Sequence, residues 1–175
     1  MSLRLLRLLP ALALAALVLA LPPATASTSN TTVEVTAGEQ PTRGEGRPTR
    51  RKRVRIGERA AKIALEAVGT PYRWGGTSPS MGFDCSGLVR WAYGRVGIEV
   101  PHNSYALWST GRGVERSRMI AGDVLVFSGF GHVGLYLGGG RMVHAPYTGR
   151  YVEIVQLASS NYGSRLMGAR RVAPA

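Results

Sequence analysis

From Ile56 onward the apolar side chains fall into two successive periodicities. Ile56, Ala60, Ile63, Ala64 and Ala67 stand at offsets of 0, 4, 7, 8 and 11. That spacing predicts a helix with one buried face, stopped at Gly69 with Pro71 beyond it. A turn-rich stretch from Tyr72 to Phe83, broken by Gly75-Gly76 and Pro79, separates it from a second set. Cys85, Leu88, Val89, Ala92 and Val96, at offsets of 0, 3, 4, 7 and 11, predict another amphipathic helix closed by Gly97, with Asp84 as its N-cap. A third, shorter helix is expected after Pro101 and Asn103. The remainder turns to period two and short apolar runs, over residues 123–127, 132–137, 141–145, 151–155 and 165–172. Helices first and antiparallel strands after them define an α+β domain, with the helices packed on a central antiparallel sheet of about five strands.

The chain ahead of this domain reads differently. Arg4 and Arg7 precede an apolar run from Leu8 to Leu21 and then Ala24-Thr25-Ala26, the pattern of a secretory signal peptide (residues 1–26) cut after Ala26. About 14 apolar residues interrupted by Pro10 fall short of the roughly 20 that span a bilayer, so no stable membrane span is expected. Residues 27–55 are rich in Thr, Ser, Gly, Pro and Arg and poor in large apolar groups, which predicts a flexible basic linker ending in the run Arg50 to Arg55. The domain then occupies residues 56–175, one core's worth of chain, expected to act as a monomer.

Charge and cysteine content narrow the surroundings. The formal charge is +12, and removing the two arginines of the signal leaves +10. Such a balance points to polyanionic surroundings. Export and the lack of a nucleic-acid-binding motif argue for no nucleic acid. The only cysteine is Cys85, so no disulfide can form within the chain, and an unpaired thiol in an exported protein calls for a reason.

A helix N-terminus favours a thiolate, and Cys85 is placed at one, on the apolar stripe that must face the sheet. A histidine presented by the strands would complete a nucleophile and base. In the strand beginning at His132, Val133, Leu135 and Leu137 share one face and His132, Gly134 and Tyr136 the other. If Gly138 to Gly140 form a three-residue hairpin loop, Leu137 pairs with Arg141, residue 134 lies across from residue 144, and His132 and His144 become diagonal neighbours on one face. A two-residue loop would shift the parity and separate them. In the first arrangement His132 takes the proton of Cys85 while His144 fixes the imidazole's tautomer. The same three side chains could instead ligate zinc, although close-spaced pairs such as C-x-x-C or H-x-x-x-H are absent, and no metal is expected. His102 has no identifiable partner and reads as a groove or surface residue.

Five segments in order resemble the motifs of the NlpC/P60 cell-wall peptidases: Tyr72-Arg73-Trp74-Gly75-Gly76, Phe83-Asp84-Cys85-Ser86-Gly87-Leu88-Val89, Ala121-Gly122-Asp123-Val124, His132-Val133-Gly134-Leu135-Tyr136 and His144-Ala145-Pro146. The resemblance implies a papain-like α+β fold and a secreted cysteine endopeptidase that needs no cofactor. Its implied partner is the peptidoglycan stem peptide, cut between the γ-carboxyl of D-glutamate and the following diamino acid. It implies Cys85 as nucleophile, His132 as base and His144 as orienting residue. Tyr72 is then expected beside the thiol, with Asp84 and Ser86 near the substrate's amino group. Many relatives carry a wall-binding module; here a linker of 29 residues precedes the domain, so attachment is expected to rest on contact with anionic wall polymers or on a partner protein. Two other functions use similar groups: a cysteine amidase cutting between sugar and L-alanine, and an acyltransferase on lipid, which needs an apolar groove. A wall-binding module without activity could keep the same fold.

Overall fold

The computed structural model describes residues 49–172. The expected signal peptide and the linker up to residue 48 lie outside the described residues. The linker's expected end is corrected, because helix α1 spans Arg50–Glu66 and takes in the whole basic run. Arg and Lys are good helix formers, and the Thr49 hydroxyl accepts the Lys52 N–H at 3.3 Å as a cap. The charge that suggested a solvated tail therefore decorates a helix. Among the described residues no helix is long and apolar enough to cross a membrane.

The chain then forms a small ribbon, β1 (Thr77–Ser78) with β2 (Gly82–Phe83), followed by α2 (Cys85–Gly94) and α3 (Ser104–Trp108). Strands β3 (Arg112–Val114), β4 (Val124–Phe127), β5 (Val133–Gly138), β6 (Arg141–His144) and β7 (Glu153–Gln156) come next. A one-turn helix α4 (Tyr162–Arg165) leads into β8 (Leu166–Arg171). The sheet runs β3-β8-β4-β5-β6-β7, antiparallel throughout. It has six strands where about five were expected. The addition is β3, a three-residue edge strand with exposed Arg112 and Gly113 and hence no apolar alternation to betray it.

Two cores lie on the two faces of this sheet. Ala60 and Ala64 of α1 and Leu88, Val89 and Ala92 of α2 bury themselves with Val124, Val126, Val133, Leu135 and Val143. The opposite face holds Leu125, Phe127, Tyr136 and Met142, closed over by Leu157 and Ala169. The Ala-Gly-Asp-Val segment ties these layers together. Tyr93 of α2 donates its hydroxyl to Gly122 O at 2.6 Å. Gly122 has φ +94, and a Cβ there would lie 2.2 Å from the Gly57 carbonyl, so only glycine lets α1 pass this close. Next to it, buried Asp123 takes a bidentate pair from Arg171 at 2.7 Å and caps the turn at Ile120 N, 2.8 Å away.

The β5–β6 hairpin closes differently from expectation and yet reaches the expected register. Gly138 pairs with Arg141, so the loop is the two-residue turn Gly139-Gly140, both with positive φ. By itself that turn would put the histidines on opposite faces. A register shift between Tyr136 and Gly138 inserts Leu137 as a bulge, and Tyr136 then pairs with Met142 and Leu135 with Val143. One bulged residue changes the parity back. The ladder therefore runs as though the loop had three residues.

Candidate active site

Asp84 organises the approach to the thiol. Its Oδ1 accepts the Gly87 N–H at 2.7 Å and the Ser86 hydroxyl at 3.0 Å, and its Oδ2 accepts the Gly75 N–H at 2.9 Å. The cap thus also pins the Gly75-Gly76 turn against the first turn of α2. A Cβ on Gly87 would meet Gly76 O at 2.0 Å, which explains why glycines face each other there. His102 completes the cluster, its Nε2 lying 3.0 and 2.8 Å from the two carboxylate oxygens. The sequence reading of His102 as partnerless is therefore corrected. It enters from the loop before α3, whose N-cap Asn103 accepts the Ala106 N–H, and no periodicity ties that loop to residue 84.

Cys85 sits at the first position of α2 and packs with the helical core, whereas the histidines emerge on the other face, against Phe127 and Tyr162. The two sides meet at the sheet's rim. The thiol reaches the backbone N–H of Val133, first residue of β5, and His132 immediately precedes that strand. Cys85, His132, Tyr72, Trp74, His102 and Pro146 line one cleft of about 300 Å³, together with Asp84 and Ser86. All three expected substrate contacts therefore share the cleft with the thiol. Trp74, 86% exposed, stands at its edge.

His132 Nε2 and His144 Nδ1 are 2.8 Å apart, so the expected pairing of the imidazoles is present. These two nitrogens engage each other, which removes them from any common metal. Among the described residues no group of three or more His, Cys, Asp and Glu side chains is arranged to hold a metal ion. Tyr162 stacks on His132 at 5.2 Å between centroids and meets His144 edge-on at 4.7 Å. It shields both rings, and the sequence reading did not single it out.

Ionisation departs from the simple helix-tip argument. Burial pushes the Cys85 thiol above its ordinary range, and the Asp84 carboxylate adds to this, while the N–H groups of Val133, Ser86 and Cys85 itself pull the other way. Burial also lowers His132 to about 3, with His144 and Arg165 contributing, and lowers His144 to about 4, with Arg150 contributing. These shifts favour a neutral thiol and neutral imidazoles in the cleft, against the thiolate that a helix N-terminus alone would favour. Burial also raises the Tyr72 hydroxyl, with Cys85 and Asp84 next in importance.

The profile of the NlpC/P60 family matches residues 69–171, more than half of the chain. The chain belongs to the NlpC/P60 family. Among similar proteins, a probable endopeptidase of Mycobacterium tuberculosis is 49% identical over 107 residues, covering 59% of this chain and 28% of that protein. The murein DD-endopeptidase MepH of Escherichia coli is 38% identical over 127 residues, 66% of this chain and 47% of its own. A gamma-D-glutamyl-L-lysine dipeptidyl-peptidase of Bacillus subtilis is 42% identical over 110 residues, 59% of this chain and 37% of its own. The chain thus spans less than half the length of each of these relatives. A crystal structure of an NlpC/P60 family protein from Bacillus cereus superposes with a TM-score of 0.63 at 32% identity, over 73% of this chain and 41% of that one.

Proposed function

We propose that this chain hydrolyses amide bonds of peptidoglycan stem peptides, with Cys85 as nucleophile, His132 as general base and His144 as orienting residue. One observation carries the reading: the 2.8 Å contact between His132 Nε2 and His144 Nδ1. It occupies one nitrogen of His132 and leaves Nδ1 for the thiol lining the same cleft. Because both partners rest neutral, the proton moves from sulfur to Nδ1 as the sulfur attacks the carbonyl, and no standing ion pair is needed. The backbone N–H of Cys85, at the first position of α2, is the donor we assign to the developing oxyanion. His132 then protonates the leaving amine, and water releases the acyl group.

The bond cut is that between γ-D-glutamate and the diamino acid. The family resemblance and the name of the Bacillus subtilis relative support this choice. Asp84 and Ser86 hold the substrate's amino group at one end of the cleft and Tyr72 flanks the thiol. Since Asp84 already faces four groups, the Gly75 and Gly87 N–H, the Ser86 hydroxyl and His102 Nε2, it attracts an ammonium by charge more than by an open lone pair. The protein is exported by its first 26 residues. Digestion of purified peptidoglycan followed by mass spectrometry tests the proposal. It predicts fragments ending in γ-D-glutamate, lost in Cys85→Ala. Release of sugar from intact L-alanyl peptide marks an amidase, and a cut between two D-centres marks the activity in the Escherichia coli relative's name; either overturns the bond assignment. Undigested wall with wild-type protein overturns the enzyme.

Attachment to anionic wall polymers is proposed to run through α1. Arg51, Lys52, Arg55 and Arg59 line one groove, and Arg50 lines a second with Arg112, Arg118 and Arg171. The first turn of α1 carries no acidic residue, so Arg50, Arg51 and Lys52 crowd the positive end of a helix dipole, a repulsion that a polyanion relieves. Retention on isolated walls should fall steeply with salt and in the variant carrying Arg51→Gln, Arg55→Gln and Arg59→Gln. Retention insensitive to both contradicts it.

A further inference from the structure

Behind the paired imidazoles one polar atom stands unexplained. His144 is fully buried, and its Nε2 has no hydrogen-bond partner, although its Nδ1 meets His132. Glu153 Oε1 lies 3.7 Å from that nitrogen, outside hydrogen-bond range but within reach of a small side-chain movement. The sheet sets this placement, because β6 and β7 pair His144 directly with Glu153 and cross-strand partners project from the same face. Arg150 holds the other oxygen, Oε2, at 2.7 Å and so draws the carboxylate aside.

We propose that Glu153 is the outermost positioning residue of the hydrolytic site, keeping the proton of His144 on Nε2 and thereby setting the direction of the His132–His144 hydrogen bond. The inference rests on the reading of Cys85 and His132 as nucleophile and base. A neutral imidazole carries one ring proton. With that proton on His144 Nε2, Nδ1 can only accept, so His132 donates from its Nε2 and keeps the lone pair on Nδ1 free for the thiol proton. With the proton on His144 Nδ1 the bond runs backwards. His132 then carries its own proton on Nδ1 and can take no other there. A buried N–H with no acceptor is disfavoured, and a carboxylate facing Nε2 supplies the acceptor and selects the first state.

During turnover the Cys85 proton passes to His132 Nδ1, sulfur forms the bond to the carbonyl carbon, and the imidazolium keeps its Nε2–H on His144. Nothing is oxidised or reduced. Around the two rings stand Tyr162 from α4, Arg165 beside His132 and Arg150 beside His144. Both arginines oppose the imidazolium, and Glu153 is the carboxylate that faces His144 Nε2.

Nitrogen-15 NMR of histidine-labelled full-length chain reads the tautomers directly. The wild type should show His144 protonated on Nε2, and Glu153→Ala should shift it toward Nδ1. In hydrolysis of a stem peptide, Glu153→Ala should lower kcat about tenfold with little change in KM. Its acid limb should move to lower pH, because a stabiliser of the cation has gone. Glu153→Gln, whose carbonyl accepts the same N–H, should restore the tautomer and most of kcat yet keep the displaced limb. Arg150→Ala should displace the limb upward. An unchanged tautomer and kcat in Glu153→Ala overturns the proposal, as does Glu153→Gln matching Glu153→Ala, since a purely structural residue lowers Tm in both without moving the tautomer. If the wild type hydrolyses no stem peptide, the reading of the cleft fails, while the tautomer still decides the role of Glu153.

Discussion

Acid should unfold this domain through its two inner histidines. His132 and His144 are held neutral, at about 3 and about 4, chiefly by burial, whereas an unfolded histidine titrates near 6.5. Between those limits the unfolded chain binds more protons than the folded one. Stability is therefore complete above about pH 6.5 and falls as the pH drops through the window below it. Each histidine contributes about 1.4 kcal/mol per pH unit there. Going from pH 7.5 to 5 should then remove about 2 kcal/mol per ring, about 4 kcal/mol for the pair, a large part of the 5–15 kcal/mol that holds a typical domain. Urea unfolding followed by circular dichroism at a series of pH values measures this, and the slope should approach two protons taken up per molecule. His144→Asn should reduce it toward one. A stability that stays level from pH 7.5 to 5, or a slope unchanged in His144→Asn, would refute the claim that these rings are buried uncharged.

Three further outcomes follow from single contacts. Asp123→Ala leaves the Arg171 guanidinium, 9% exposed, without its counter-charge; unfolding should become easier by about 3–5 kcal/mol, and adding Arg171→Met should recover much of the loss. Gly122→Ala places a methyl against the Gly57 backbone at a positive φ and should cost about 3 kcal/mol or more in chemical denaturation; a loss below about 1 kcal/mol would contradict the packing of α1 on that turn. Because burial and Asp84 raise the Cys85 thiol, alkylation by iodoacetamide should be slower than that of free cysteine at neutral pH. It should still be climbing with pH where free cysteine has levelled off, and rapid, pH-independent labelling in mild acid would show a resting thiolate instead.

Much of the fold is legible in the periodicities, because Ala60, Ala64, Leu88, Val89 and Ala92 must be buried and a spacing of three and four does that only on a helix. Asp84 is equally readable as a cap, since its role depends on residues one turn away. What sequence spacing conceals is non-local. β3 borrows its place from β8 and carries no pattern of its own. The basic run of α1 reads as linker by composition, although a threonine cap and good helix formers make it a helix. The hairpin illustrates the limit most clearly: the glycines of the turn are visible, but the bulge at Leu137 that restores the histidine register is a compromise between turn and ladder. Cys85, His132 and His144 can be singled out by residue type and position. Glu153 and His102 cannot, because each faces its partner only after a loop has closed. The ionisation of Cys85 is likewise set by burial that no window of sequence displays.

The central claim is that the sulfur of Cys85 becomes the acyl carrier when His132 takes its proton. Mixing enzyme with a defined stem peptide, quenching in acid within the first turnover and mapping the product by mass spectrometry observes that bond itself. A thioester on Cys85 carrying the glutamyl half of the substrate is predicted, missing in Cys85→Ala and formed far more slowly in His132→Ala. Steady hydrolysis by Cys85→Ala, or an adduct on any other residue, would contradict it.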